Sequence, residues 1–331
     1  MLRTIGTCAA GINRLCCAAM TDRPMIAAAA RAIAPFVRVT PVLRLSGADA
    51  AAFGAPGGLC LKLELMQHAG SFKPRGAFAR ILAHRPPPGG MVVAASGGNH
   101  GAAVAYAASV LGLAAEIFVP ELSTAAKRAR IAAAGARLHV VGATYAEAFA
   151  ASQDFAARHG ALEVHAYDMA ETIAGQGTCG AEFEAQAPEL DTLLVAVGGG
   201  GFIAGIAAWY AGAAKVVGVE PEACPAFFAA RRAGRPVDAA VGGIAADSLG
   251  ARRIGACAFA VAEKCVAASV LVADEAIRAA QRLLWERLRI AAEPGGATAL
   301  AALLSGAYRP GAEERVGVPV CGGNLDLAAL G

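Results

Sequence analysis

Short apolar runs rich in β-branched residues alternate along this chain with alanine-rich segments of helical length, and that alternation restricts the fold more than any other feature of the sequence. A run that is apolar at every position has to be covered on both faces, so it belongs in a parallel sheet flanked by helices. The pattern predicts strands over Met91–Ala95, Glu116–Val119, Leu138–Val141, Leu162–Tyr167, Thr192–Val197, Val216–Glu220 and Val316–Val320. Helices are expected over Ala102–Leu111, Thr124–Ala134 and Tyr145–Arg158 as crossovers, and over Asp274–Arg289 with Asp274 as its N-cap. The fold class is therefore α/β. Single cores stop growing at roughly 250–300 residues, so a chain of 331 has room for two lobes and a cleft. Arg85-Pro-Pro-Pro-Gly-Gly90 is the sharpest break in the first third and marks a candidate boundary.

Composition excludes several classes of function. With 56% hydrophobic residues, 17% charged and 40 glycines, the chain reads as globular and rich in tight turns. The net charge of +3 is spread out, and the basic clusters Lys127–Arg130 and Arg231–Arg235 are short and lack interleaved aromatics, so nucleic acid is not expected as a partner. The apolar stretch Met25–Val37 is too short to span a bilayer and carries Arg31; no membrane partner is expected. Nine cysteines occur without a C-x-x-C pair, which suits reduced thiols in a cytoplasm. Residues 1–19 hold Arg3 and Arg14 and no acid; they read as a leader or disordered tail, with Met20 as an alternative start.

Three glycine-bearing loops carry the candidate chemistry. In Ser71-Phe-Lys-Pro-Arg-Gly-Ala77, Lys73 sits among small residues, where a backbone can approach a bound group closely. Schiff-base chemistry needs a neutral amine, which apolar surroundings and the neighbouring Arg75 would favour; the heptapeptide also reads as an exposed lysine at a turn. Ser96-Gly-Gly-Asn-His-Gly101 follows a strand and precedes a helix, so it either offers N–H groups and polar side chains to an anion or simply caps a glycine turn. Gly198-Gly-Gly-Gly-Phe-Ile-Ala-Gly205 repeats that arrangement after Thr192–Val197. Its Gly199, Gly201 and Ala204 also fit a dinucleotide fingerprint with Glu220 about 20 residues on, a rival reading that leaves the lysine and Ser96 loops without a role. Glu293-Pro-Gly-Gly-Ala297 opens a helix and Val320-Cys-Gly-Gly-Asn324 ends the last strand; alone, Glu293 reads as a helix-dipole partner and Cys321 as a small core residue.

Taken in order, Ser71–Ala77, Ser96–Gly101, Gly198–Gly201, Glu293–Ala297 and Cys321–Asn324 resemble the motif series of the threonine/serine dehydratase family, pyridoxal-phosphate-dependent enzymes of fold type II that are tryptophan synthase β-like. The likeness runs from Val39 to Asp326, and serine racemases and threonine synthases share much of it. It implies a two-domain fold of mostly parallel sheets with the cofactor in the cleft: a large cofactor-binding domain over 20–90 and 169–331 and a small mobile domain over 91–168. It also implies that Lys73 holds pyridoxal 5'-phosphate as a Schiff base and moves the substrate's Cα proton. Phe72 would pack on the ring, Asn99 would bond the ring hydroxyl, Gly198, Gly199, Gly200 and Gly201 would hold the phosphate, and Glu293 would line the cofactor site. Ser96, Gly97, Gly98, Asn99 and His100 would line the substrate carboxylate site, with Ser96 counted as catalytic. Cys321 matches the position facing the pyridine nitrogen, and a thiol there favours elimination over transamination.

The implied reaction is the dehydration and deamination of L-threonine or L-serine to a 2-oxo acid and ammonia, that is, an ammonia-lyase. A bulkier or acidic β-hydroxy amino acid, racemisation and β-replacement are the alternatives, with a non-catalytic cofactor-binding protein further off. Gly97 stands where racemases of the family carry a serine base, which speaks against racemisation. Glu220 matches a divalent-cation ligand of some members, but Ala226 holds the second ligand place; Asp247 would substitute for it or cap a helix, so the cation is left open. His68 stands where relatives have a smaller residue and faces either substrate or solvent. The regulatory domain of biosynthetic threonine dehydratases has no counterpart after Asn324, so isoleucine feedback is not expected. Relatives are commonly dimers, which implies a homodimer.

Overall fold

The computed structural model describes residues 21–326, so the leader or tail expected over residues 1–19 lies outside the described residues. Among the described residues, ten strands form two sheets. The larger has the order β1 (Val42–Leu45), β2 (Leu59–Lys62), β10 (Val316–Pro319), β7 (Thr192–Ala196), β8 (Lys215–Pro221) and β9 (Ala268–Val272). The smaller has the order β5 (Arg137–Val140), β4 (Ala114–Val119), β3 (Met91–Ala95) and β6 (Leu162–Glu163). Every pairing is parallel except that of β1 with β2. Helices cover the sheets, as runs such as β7, buried at every position, require.

Each of the seven predicted strands is present, and two expectations need correction. The run Leu162–Tyr167 leaves the sheet early because His165 Nδ1 accepts the N–H groups of Tyr167 and Asp168 and folds the chain into a turn. The helix Asp274–Leu288 is capped by Ala273, in extended backbone, and not by Asp274, whose Oδ2 accepts Ile244 N–H at 3.0 Å. Three strands lacked a sequence signal. β1 is an edge strand broken by exposed Arg44, β2 ends in the fully buried Lys62, and β9 is an edge strand with only one fully covered residue.

The topology gathers the motif-bearing loops at one place. In parallel sheets, ligands bind outside the carboxyl ends of the strands. The Ser96 loop follows β3, the tetraglycine loop follows β7 and the Cys321–Asn324 turn follows β10. The chain enters the smaller sheet through Arg85–Gly90, where Arg85 takes a left-handed conformation (φ 44°) that ends the helix Lys73–His84.

Beneath the tetraglycine loop, the helices Ala170–Gln186 and Gly201–Tyr210 touch backbone to backbone. A Cβ on Gly205 would lie 2.3 Å from the Ile173 carbonyl oxygen and 2.5 Å from Gly177 N. Neither is the tip of a flexible side chain, so the helices have to separate to admit a methyl group. Gly205→Ala is expected to lower unfolding free energy by about 1–3 kcal/mol, read as a fall in the urea midpoint at unchanged slope. An unchanged midpoint contradicts this packing.

Candidate active site

Lys73 is the first residue of the helix Lys73–His84, and the strand end next to it fixes where that helix begins. Phe72 N–H donates to the Cys321 carbonyl at 3.2 Å, and Ser71 forms an isolated antiparallel bridge with Gly322. The lysine and the end of β10 are thereby held together. Lys73 Nζ donates to the Ala166 carbonyl at 3.0 Å and lies 5.0 Å from the Phe72 ring centroid. Burial pulls its pKa down to about 8, against the opposing pull of Cys321 and Glu293, so a sizeable fraction of the amine is neutral near pH 8.

Arg75 takes no part in that shift, contrary to the expectation that it would lower the lysine pKa. Its guanidinium faces away into a buried pair with Glu64, at 2.8 Å through both Nε and Nη2, and reaches Glu182 at 3.0 Å. Its charge is spent on those carboxylates.

Phe72, Lys73, Asn99, Tyr167, Ala196–Ile203, Ser248, Leu249, Glu293 and Cys321 line one pocket. Gly200, at φ 91°, is the N-cap of the helix Gly201–Tyr210 and supplies no side-chain cap, so the first-turn N–H groups remain for an anion. A Cβ on Gly199 would lie 2.2 Å from carbons of the Tyr167 ring. Across the pocket the Cys321 thiol, pushed up to about 12 by burial and by Glu293, stays protonated and points its S–H at the Gly295 carbonyl, 3.4 Å away. Glu293 is the N-cap residue of the helix Pro294–Leu304, yet its side chain makes no cap bond; Oε1 instead accepts from Asn99 Nδ2 at 2.6 Å. Burial raises its carboxyl to about 7 against that hydrogen bond.

Of the Ser96 loop, only Asn99 lines the pocket. Ser96 Oγ accepts Gly98 N–H at 3.2 Å and so stabilises its own turn. A Cβ on Gly97 would fall 2.3 Å from Ser123 Oγ. The His100 ring is buried and pulled down to about 3 by burial and then by Lys73; the neutral ring's Nε2–H donates to the Val164 carbonyl at 2.7 Å. Any part His100 plays toward a carboxylate falls to its backbone N–H. His68 is away from the pocket, stacked on Tyr106 at 4.7 Å.

Glu220 is fully buried and serves structure. It accepts the Phe227 and Phe228 N–H groups at 2.7 Å each and the Ser269 hydroxyl at 3.2 Å. It is thus committed to a helix N-terminus, which leaves it free for neither a cation nor a ribose. Asp247 pairs with Lys127 across the cleft. Among the described residues, no group of three or more His, Cys, Asp and Glu is arranged to hold a metal ion, and no helix is long and apolar enough to cross a membrane.

Tyr167, Ser248 and Leu249 carry no sequence signal for the pocket: Tyr167 falls in a run that reads as a strand, and the short helix Ala246–Leu249 has no periodicity long enough to announce it.

The sequence profile of the family described as "Pyridoxal-phosphate dependent enzyme" matches residues 33–322. This chain belongs to that family. It is 35% identical over 316 residues to a phenylserine dehydratase from Ralstonia pickettii, covering 94% of this chain and 95% of the other. Among solved structures it is similar to maize serine racemase, at 34% identity and a TM-score of 0.87, covering 94% of this chain and 96% of that one. It is also similar to a T.th. threonine deaminase, at 36% identity and a TM-score of 0.85, covering 92% and 99%. The dinucleotide reading of Gly199, Gly201 and Ala204 is thereby overturned. The pocket of this pyridoxal-phosphate enzyme fits its cofactor: a helix start without a side-chain cap suits the phosphate, a partly neutral lysine suits the aldehyde, and a protonated thiol suits an uncharged ring nitrogen.

Proposed function

We propose that this enzyme eliminates the β-hydroxyl group of a small β-hydroxy amino acid, L-threonine or L-serine, to release a 2-oxo acid and ammonia. The observation that carries this reading is the pocket shared by Lys73, the tetraglycine loop and a thiol that stays protonated. The named activities of the Ralstonia dehydratase and the T.th. deaminase support it.

When bound, pyridoxal phosphate supplies an electron sink that acidifies the substrate's Cα–H. The chain's own groups do the rest. The N–H groups of Gly198–Gly201 would hold the phosphate, Asn99 Nδ2–H would meet the ring hydroxyl, and the uncharged Cys321 thiol would sit by the ring nitrogen without charging it. The first-turn N–H groups of Asn99 and His100, at the start of the helix Asn99–Val110, orient the substrate carboxylate. Lys73 Nζ takes the Cα proton, and the Tyr167 ring packs against Gly199 of the tetraglycine loop. The β-hydroxyl leaves as water with the proton that Lys73 removed, and hydrolysis consumes one water, so the net change is one amino acid to one 2-oxo acid and one ammonium.

Racemisation is the competing reading, given the likeness to maize serine racemase. Against it, Gly97, which brings no side chain, stands where racemases of the family carry a serine base. The test supplies L-threonine, L-serine and β-phenylserine separately and quantifies 2-oxo acid, ammonia and D-amino acid. Oxo acid and ammonia in equal amounts from at least one of the three are expected. D-amino acid accumulating without oxo acid overturns the dehydratase reading in favour of a racemase.

A further inference from the structure

We infer that Glu293 and Asn324 are positioning residues that fix the amide rotation of Asn99 and leave one of its N–H groups aimed into the pocket. The inference rests on the cofactor seat proposed above and assigns to two residues a task that lining the pocket does not require.

An amide side chain reads the same by shape when its oxygen and nitrogen are exchanged, so only its partners decide which way it points. Here the decision starts at a backbone carbonyl. The Ala69 carbonyl can only accept, and Asn324 Nδ2 donates to it at 2.8 Å, which fixes the rotation of Asn324. The same nitrogen donates its second hydrogen to Asn99 Oδ1 at 2.8 Å. Asn99 Oδ1 is thereby the acceptor, and its Nδ2 faces Glu293 Oε1 at 2.6 Å. One Nδ2 hydrogen is spent on Glu293 and the other remains. Flipping Asn99 would set nitrogen against nitrogen at Asn324 and, when Glu293 is ionised, oxygen against oxygen at Glu293; the Asn324 contact opposes it in either state.

Two glycines make room for this clamp. A Cβ on Gly70 would lie 2.4 Å from Asn324 Oδ1, and one on Gly322 would lie 2.1 Å from Glu293 Oε1. Gly70 also takes a left-handed φ of 71°, and its carbonyl accepts Gly323 N–H at 3.0 Å, which seats the Asn324 turn against the lysine loop. Asn99 comes from the lobe of the smaller sheet, whereas Glu293 and Asn324 come from that of the larger. The clamp therefore ties the lobes together at the pocket and orients a pocket group in doing so.

The test is a double-mutant cycle on cofactor affinity. Pyridoxal phosphate is titrated into cofactor-stripped protein, following its visible absorption, for wild type, Asn324→Leu, Asn99→Ala and the double variant. Melting curves confirm folding. Asn324→Leu is expected to weaken binding about tenfold and to displace the band, as one misdirected hydrogen bond does, yet to cost nothing further once Asn99 is alanine. Glu293→Gln, whose amide oxygen still accepts, is expected to bind like wild type, and Glu293→Leu to bind like Asn324→Leu. Equal losses from Asn324→Leu in both backgrounds, or none in either, overturn the inference. A wild type that shows no band at all overturns instead the cofactor seat on which it rests.

Discussion

Lys73→Ala is expected to lower turnover by about 10³-fold or more and to remove the visible absorption of lysine-bound cofactor, since it deletes the proposed covalent anchor and the proposed base for the Cα proton. No neighbour takes over. His100 is locked as a neutral ring on the Val164 carbonyl, the Cys321 thiol keeps its proton, and Glu293 is engaged with Asn99. The variant is expected to fold, because the Arg75 network that anchors the same helix lies on its other side. Steady-state rates on the preferred substrate check this; retention of rate within tenfold would remove Lys73 from the chemistry.

The second large effect is on stability. Glu64→Gln is expected to cost about 3–5 kcal/mol, because it leaves the guanidinium of Arg75 without its bidentate partner in the protein interior. Glu64 and Arg75 are fully buried, Thr40 Oγ1 donates to Glu64 at 2.6 Å, and Lys62 joins the same network through the Thr40 carbonyl at 2.7 Å and through Glu182. Burial alone would push the Glu64 carboxyl up; the charge and hydrogen bonds of Arg75 outweigh it and hold the group below its ordinary value. A depressed carboxyl stabilises fully above its unfolded pKa and loses that contribution as pH falls through the folded one. Wild type should therefore lose stability on acidification below the ordinary carboxylate range more steeply than Glu64→Gln. Urea denaturation at neutral pH measures the main effect, and a loss under about 1 kcal/mol would mean that the pair behaves like an exposed one.

The sequence made the buried parallel strands legible because burial on both faces demands continuous apolar runs, as in Thr192–Val197. It concealed β2, since Lys62 looks like a surface residue until Glu182, Gln186 and the Thr40 carbonyl surround it. The motif order led to Lys73, Asn99, the tetraglycine loop, Glu293 and Cys321, which the fold brings to one pocket. Spacing said nothing of Tyr167, whose position depends on the His165 turn, nor of the Asn324 clamp, which exists only when the ends of β3 and β10 meet. It also misjudged Arg75, whose proximity to Lys73 along the chain is undone by the helix, which turns it the other way.

The most direct test of Lys73 as the cofactor's anchor is chemical trapping: borohydride reduction of the purified enzyme, which converts a lysine–cofactor imine to a stable amine, followed by peptide mass mapping. The expected result is the added cofactor mass on the peptide bearing Lys73, and its loss when a β-hydroxy amino acid is turning over. Cofactor mass on any other lysine, or on none, would contradict that role.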